Sequence, residues 1–283
     1  MGELVYGSEL SKELRAEMKL TVDQYRQKGM RIPCLAVILV GDNPASLSYV
    51  RGKEKAVASI GMESRFFHLP EDASQEDVEK VIAQCNEDDT IDAVLLQLPL
   101  PAGLDETHAL NTIDPDKDAD GLHVINVGRL YSGQKGFVPC TPAGIMELLK
   151  KMNCSISGKR AVVIGRSRLV GAPVARLLQD AGATVTVCHS KTQNLRDICK
   201  EADILVAAIG RPNFIDSSYV KEGAYVIDVG INRLDNGKLV GDVLTEDVLP
   251  HVTAITPVPK GVGPMTICML VRNTLYAYEE RQS

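Results

Sequence analysis

The chain has 283 residues, 45% of them apolar and 24% charged, with no tryptophan and a formal charge of −6. That length allows two domains of ordinary size, each with its own core. Basic residues are interleaved with acids and no aromatic-basic stripe occurs, which argues against a nucleic-acid surface.

The N-terminus lacks the apolar core of a signal peptide and opens on an amphipathic helical pattern, Leu10, Leu14, Met18, Val22 and Tyr25. Strands are expected at 34–40, 64–69, 93–98, 161–164, 184–187, 204–208, 225–229 and 251–256, with helical patterns between most of them. Such alternation predicts an α/β architecture with largely parallel sheets. The strands fall into two groups around a helix that begins after Thr141-Pro142, which places a boundary near Cys140. The expected domains are therefore 1–140 and 141–264. The late apolar helix of 265–283 is not needed by the second sheet and is expected to complete the first domain. No repeat or low-complexity segment is evident. The seven cysteines, Cys34, Cys85, Cys140, Cys154, Cys188, Cys199 and Cys268, are scattered and form no C-x-x-C pair. An odd, scattered set favours free thiols in a reducing compartment, and a cytoplasmic protein without a membrane segment is expected.

The most informative stretch runs from Ala161 to Ser190. A β-branched strand leads into Gly165-Arg166-Ser167-Arg168-Leu169-Val170-Gly171-Ala172-Pro173 and then the helical pattern Val174, Leu177, Leu178. A turn of this kind presents backbone N–H groups and a positive helix end to phosphate, as in a dinucleotide site. The G-x-G-x-x-G form is altered, with Ser167 at the middle glycine's place and Gly171 one position late. An ordinary βα connection remains the competing reading at this point. The second strand ends in Cys188-His189-Ser190-Lys191, where a site selecting NAD usually places an acid for the ribose 2′-hydroxyl. Arg166, Ser190 and Lys191 offer donors and positive charge instead, which favours NADP.

Other candidates lie outside that unit. The run Asp114-Pro115-Asp116-Lys117-Asp118-Ala119-Asp120-Gly121 opens like a calcium loop, but the position that needs a bidentate glutamate holds Val127. No metal is expected. Asp120 beside flexible Gly121 reads better as an acid aimed into a cleft, with solvated loop acids as the alternative. Tyr49 and Lys53 are spaced to share a helix face. A lysine desolvated there would move protons near neutral pH, whereas a charged surface helix would carry no chemistry. Gln97, closing an apolar strand before Pro99, suits the carboxyl edge where α/β proteins put ligands, or else is a satisfied buried amide. The proline- and glycine-rich run Thr256 to Thr266 is either a stiff loop against a flat ligand or a rigid connector.

Together these pieces resemble the bifunctional methylenetetrahydrofolate dehydrogenase/cyclohydrolase family over nearly the whole chain. The matching motifs are SYVRGKEKA from Ser48, LLQLPLP from Leu95, DPDKDADG from Asp114 and PCTPAG from Pro139. GRSRLVGAP from Gly165, CHSKT from Cys188, DVGIN from Asp228 and PVPKGVGPMT from Pro257 extend the match. The resemblance implies two α/β domains, the second Rossmann-like and NADP-binding, with the active-site cleft between them. It implies NADP-dependent oxidation of 5,10-methylenetetrahydrofolate, then hydrolysis to 10-formyltetrahydrofolate, in support of purine, histidine and methionine biosynthesis. Lys53 is then the catalytic lysine, Gln97 its polar partner, Asp120 the pterin anchor and Tyr49 the ring stacked on folate. Gly165, Arg166, Ser167, Ser190 and Ile231 match the NADP contacts, and Pro259, Lys260, Gly261, Val262 and Gly263 the folate loop. Many relatives have glycine where this chain has Lys260. Partners implied are tetrahydrofolate one-carbon derivatives and a second copy in a homodimer. A monofunctional dehydrogenase is the nearest alternative. A different NADP oxidoreductase or a non-catalytic NADP sensor would not need Lys53, Gln97 and Asp120 together.

Overall fold

The computed structural model describes residues 2–282. Met1 and Ser283, the latter the expected end of the C-terminal helix, lie outside the described residues. In chain order, β1 (Glu3–Leu4) and α1 (Gly7–Gln27) precede β2 (Cys34–Val40), α2 (Pro44–Ser59), β3 (Glu63–Leu69), α3 (Gln75–Glu87) and β4 (Ala93–Leu96). Three helices follow, α4 (Glu106–Thr112), α5 (Val124–Tyr131) and α6 (Cys140–Lys151). Alternation resumes with β5 (Arg160–Ile164), α7 (Gly171–Asp180), β6 (Thr184–Cys188), α8 (Leu195–Lys200), β7 (Ile204–Ala207) and β8 (Ala224–Asp228). The hairpin of β9 (Asn232–Arg233) and β10 (Leu239–Val240), the single turn α9 (Thr245–Val248), β11 (Val252–Ile255) and α10 (Val262–Gln282) complete the order.

The chain divides into two compact units. One comprises Glu13–Cys140 and the C-terminal stretch from Ile267; the other comprises the N-terminal stretch through Lys12 and Thr141–Thr266. The first residues join the later segment for local reasons. Glu3 and Leu4 pair in parallel with Ala254 and Ile255. Ser8 N donates to Lys260 O at 3.1 Å, and a Cβ added at Gly7 would meet Gly261 O at 2.0 Å. A two-residue strand carries no periodic signature, so the alternation of apolar residues does not reveal it.

The Glu13–Cys140 unit is built on a three-stranded parallel sheet in the order β3-β2-β4. All seven residues of β2 are buried, which explains its unbroken apolar run: a central parallel strand is covered on both faces. β4 ends at Leu96, short of the expected Leu98. Gln97 N still donates to Ile38 O at 2.8 Å, but Pro99 follows closely and has no N–H to extend the ladder. The buried Asp92 carboxylate takes a two-pronged pair from Arg31 (2.7 and 2.6 Å) and the N–H of Cys34 (2.8 Å), joining the starts of β2 and β4.

The other unit carries a six-stranded sheet in the order β1-β11-β8-β7-β5-β6, with every pairing parallel. From β5 the chain goes to β6 on one side and then to β7 on the other. The order therefore reverses beside β5, and the carboxyl ends of β5 and β7 border the crevice where open α/β sheets bind ligands.

Candidate active site

Lys53 is placed by α2. Asn43 starts that helix by accepting from Ala45 N (2.9 Å) and Ser46 N (3.3 Å), and Pro44 fills its first position. Tyr49 lies one turn before Lys53 on the same face and is half exposed. Lys53 Nζ donates to Gln97 Oε1 at 2.9 Å. Gln97 Nε2 donates to Leu98 O at 2.6 Å, so the amide is held at both ends with its oxygen turned to the ammonium.

Asp120 arrives on a segment that borrows its position from neighbours. Val94 N donates to Lys117 O (2.7 Å) and Ala119 N to Val94 O (3.2 Å), so this segment runs beside β4. The buried Lys117 ammonium donates to Cys85 O, Asn86 O and Asp88 O, covering the free carbonyls at the end of α3. Asp118 accepts from His123 N (2.8 Å) and Asn126 Nδ2 (3.0 Å). Asp114 accepts from Asp116 N, and Asp116 pairs with Arg129. Those acids serve the fold, whereas the charge of Asp120 acts on Lys53 and Cys140. Gly121 has φ +68°, and an added Cβ would lie 2.7 Å from Val138 C and Pro139 N, so glycine is required there. Among the described residues, no group of three or more His, Cys, Asp or Glu could hold a metal ion.

Burial pulls the Lys53 pKa below its ordinary value, opposed by the negative charge of Asp120 and then by Cys140. Burial, reinforced by Asp120, pushes the Cys140 thiol well above its ordinary value, so it stays neutral. Its Sγ donates to Ala119 O at 3.4 Å. Lys53, Gln97, Asp120 and Cys140 thus form one cluster: an ammonium whose burial eases proton loss, an amide that aims it and a carboxylate that tempers the shift.

The dinucleotide turn is made differently. Gly165 has φ +117°, and an added Cβ would meet Ala208 O at 2.2 Å; a Cβ at Gly171 would meet Gly165 O at the same distance. Both positions therefore exclude side chains. Ser167 Oγ accepts from Val170 N (3.2 Å) and Gly171 N (3.4 Å), which explains how a serine serves at the middle position: it braces the entry to α7. Gly165 N donates to Cys188 O at 2.9 Å, holding the end of β6 beside the turn. Arg166, Arg168, Ser190 and Lys191 are exposed around it. After β7, the N–H groups of Ile209, Gly210 and Arg211 donate to the buried Asp242 carboxylate at 2.7–3.0 Å. Asp228, pushed up to about 7 by burial, accepts in turn from Gly230, Asp242 and Val243 N–H groups.

The run from Pro259 to Gly263 lies in the same unit as this turn, whereas Tyr49, Lys53, Gln97 and Asp120 lie in the other. A Cβ at Gly261 would meet Pro257 O at 2.3 Å, and one at Gly263 would lie 3.6 Å from Ile231 Cδ1. Ile231 is half exposed. Lys260 adopts φ +80°, a conformation in which glycine is unstrained and lysine is not. The sequence pattern does not single out Cys140, Asp228 or Asp242 as site components. Their signal is spatial: each is a buried polar group whose partners come from distant segments.

Residues 139–282 match the family model described as tetrahydrofolate dehydrogenase/cyclohydrolase, NAD(P)-binding domain, and residues 5–120 match the catalytic domain of the same family. The chain is 52% identical over 98% of its length to the bifunctional protein FolD of Oceanobacillus iheyensis, covering 97% of that protein. It is 53% identical to the protein of the same name from Campylobacter hominis, over 99% of this chain and 98% of that one. Among solved structures it resembles the bifunctional FolD dehydrogenase/cyclohydrolase of Campylobacter jejuni, with a TM-score of 0.97, 47% identity and 99% and 100% of the two chains covered. It is also similar to the Trypanosoma brucei dehydrogenase-cyclohydrolase complexed with NADP and inhibitor, with a TM-score of 0.95, 38% identity and 99% and 98% covered.

Proposed function

Since the chain belongs to the tetrahydrofolate dehydrogenase/cyclohydrolase family, we propose that it converts 5,10-methylenetetrahydrofolate to 5,10-methenyltetrahydrofolate and then to 10-formyltetrahydrofolate, with NADP as cofactor. The observation that carries the reading is the Lys53 ammonium, shifted by burial and held 2.9 Å from Gln97 in a cluster with Asp120. A simple dinucleotide-binding module has no use for that cluster.

The methylene carbon lies between two folate nitrogens whose lone pairs stabilise positive charge, so its oxidation asks the chain mainly for positioning. Bound NADP supplies the hydride acceptor. Gly165, Arg166, Ser167, Ser190 and Ile231 hold it, and the two side-chain-free positions at Gly165 and Gly171 fit the close approach of a pyrophosphate. Exposed Arg166 and Ser190 suit a 2′-phosphate, which favours NADP over NAD. Hydrolysis of the methenyl cation requires proton transfers as water adds and the ring opens. Lys53 carries these, Gln97 orients its Nζ, and the Asp120 carboxylate matches the paired donors of the pterin edge. Tyr49 stacks on the folate, and Pro259, Lys260, Gly261, Val262 and Gly263 border it.

In this reading the unit of Glu13–Cys140, with α10 from Ile267, supplies the proton-transfer groups, and the unit of Thr141–Thr266 holds the dinucleotide. A homodimer is supported by the outer edge of β3, which has no strand partner among the described residues and carries half-exposed Phe66 stacked on His68. All seven cysteines are buried free thiols, in keeping with a cytoplasmic protein. No helix among the described residues is long and apolar enough to cross a membrane. The products would serve purine, histidine and methionine biosynthesis.

The test is an absorbance assay of the purified protein with 5,10-methylenetetrahydrofolate and NADP, in parallel with NAD, followed by 5,10-methenyltetrahydrofolate alone. Turnover in both assays, with NADP preferred, is expected. NADP reduction without enzyme-dependent hydrolysis would reduce the chain to a monofunctional dehydrogenase.

A further inference from the structure

Asp120 sits on a segment with no helix or strand of its own, yet its distance from Lys53 matters to the whole cluster. Its backbone tie to β4 through Val94 fixes one side only. The other side is held from α10. Buried Asn273 directs one amide nitrogen at two carbonyls, donating to Ala119 O at 3.0 Å and Val138 O at 3.1 Å, and it lies 3.6 Å from Cys140 Sγ. Ala119 immediately precedes Asp120. Val138 is the residue whose carbonyl crowds Gly121, immediately after Asp120. Ala119 O also receives the Cys140 thiol.

We propose that Asn273 is a positioning residue for the hydrolytic site: by bridging Ala119 O and Val138 O, its amide fixes Asp120 and Cys140 relative to Lys53. The residue type suits that task. A carboxamide brings two N–H donors on one planar group and no charge, whereas a hydroxyl brings one donor and an ammonium would add a charge beside Lys53. The inference rests on the reading of Lys53 as the proton-transfer group. The groups that act on Lys53 are Asp120 and Cys140, and Asp118 acts on Cys140 in turn. Asp120 raises the Lys53 pKa against the effect of burial, so loosening its segment lets that pKa fall further.

The experiment compares Asn273→Leu, which removes both donors on a side chain of the same branching, with Asn273→Gln, which restores an amide, and with Lys53→Met. Methenyltetrahydrofolate hydrolysis is followed across pH, with folate KM, NADP binding and thermal melting measured alongside. For Asn273→Leu, the hydrolytic kcat is expected to fall about tenfold or more, since a misplacement of about 1 Å can cost about a hundredfold. NADP binding stays unchanged, and the pH limb belonging to Lys53 moves to lower pH. Asn273→Gln regains part of the rate. A folded Asn273→Leu with wild-type kcat and pH profile overturns the proposal, as does loss of folded protein in both Asn273 variants, which would make the bridge structural alone. Normal hydrolysis by Lys53→Met would instead sink the reading of Lys53. An inactive Lys53→Met beside a normal Asn273→Leu would sink only the role of Asn273.

Discussion

At the dinucleotide turn the chain offers its binding surface as backbone, through two glycines that admit no side chain and a serine that braces the helix entry, with the charged side chains left exposed. Around Lys53 the reverse holds. The working groups are side chains, Gln97 and Cys140 buried and Lys53 and Asp120 partly so, gathered from α2, the end of β4, the Asp120 segment and the start of α6. A backbone-built site depends first on local shape, to which the exposed charges around it add selectivity. A site built from side chains depends on distances between remote segments, because the charge of Asp120 acts on both Lys53 and Cys140.

The sharpest way to break the comparison is Gly171→Ala. Its methyl would lie 2.2 Å from Gly165 O, an overlap relieved only by shifting the turn, at a cost of about 1–3 kcal/mol of stability, and the displaced turn is expected to bind NADP more weakly. Calorimetric titration with NADP reads that loss, while methenyltetrahydrofolate hydrolysis should persist. Unchanged NADP binding would show that the turn does not hold the phosphates. In the other unit, Asp120→Asn removes the charge that raises the Lys53 pKa. The kinetic limb belonging to Lys53 should then move to lower pH, because burial is no longer opposed by a neighbouring negative charge. A limb that stays in place or moves up would separate Asp120 from the electrostatics of Lys53. Arg166→Ala, an exposed change, is expected to raise the NADP KM about tenfold and leave the NAD KM alone, since a phosphate contact is charge-assisted; equal effects on the two cofactors would remove Arg166 from 2′-phosphate recognition. The smallest effect belongs to Lys260→Gly. Relief of φ +80°, partly offset by the greater freedom of glycine in the unfolded chain, should add about 0.5–1 kcal/mol. A melting scan that shows a lower Tm would contradict it.

The two sites differ in legibility for the same reason that they differ in construction. β2 and β5 stand out as apolar runs, and the turn from Gly165 to Gly171 is contiguous, so the α/β class and the dinucleotide unit can be read along the chain. Ser167 looks like a defect of the motif until its hydroxyl is seen to accept from Val170 and Gly171. The Lys53 cluster is another matter. The charge pattern alone favours a surface lysine at 53 and makes Asp120 one acid among several, and only the resemblance of whole motifs brings them together. Spacing gives no hint that Lys117 covers the end of α3, that Asp118 serves the turn into α5, or that Asn273 reaches back to Ala119. Such contacts join residues far apart in sequence, and no local period encodes them. The strand β1 escapes notice for a simpler reason, since two residues are too few to show alternation.

The most direct measurement is hydrolysis of 5,10-methenyltetrahydrofolate by Lys53→Met, with folate binding measured on the same preparation. Loss of the hydrolytic rate by about 10²–10⁴-fold, the usual range for removal of a positioned acid or base, is the predicted result, with folate still bound. Hydrolysis at the wild-type rate would contradict the assignment of proton transfer to Lys53.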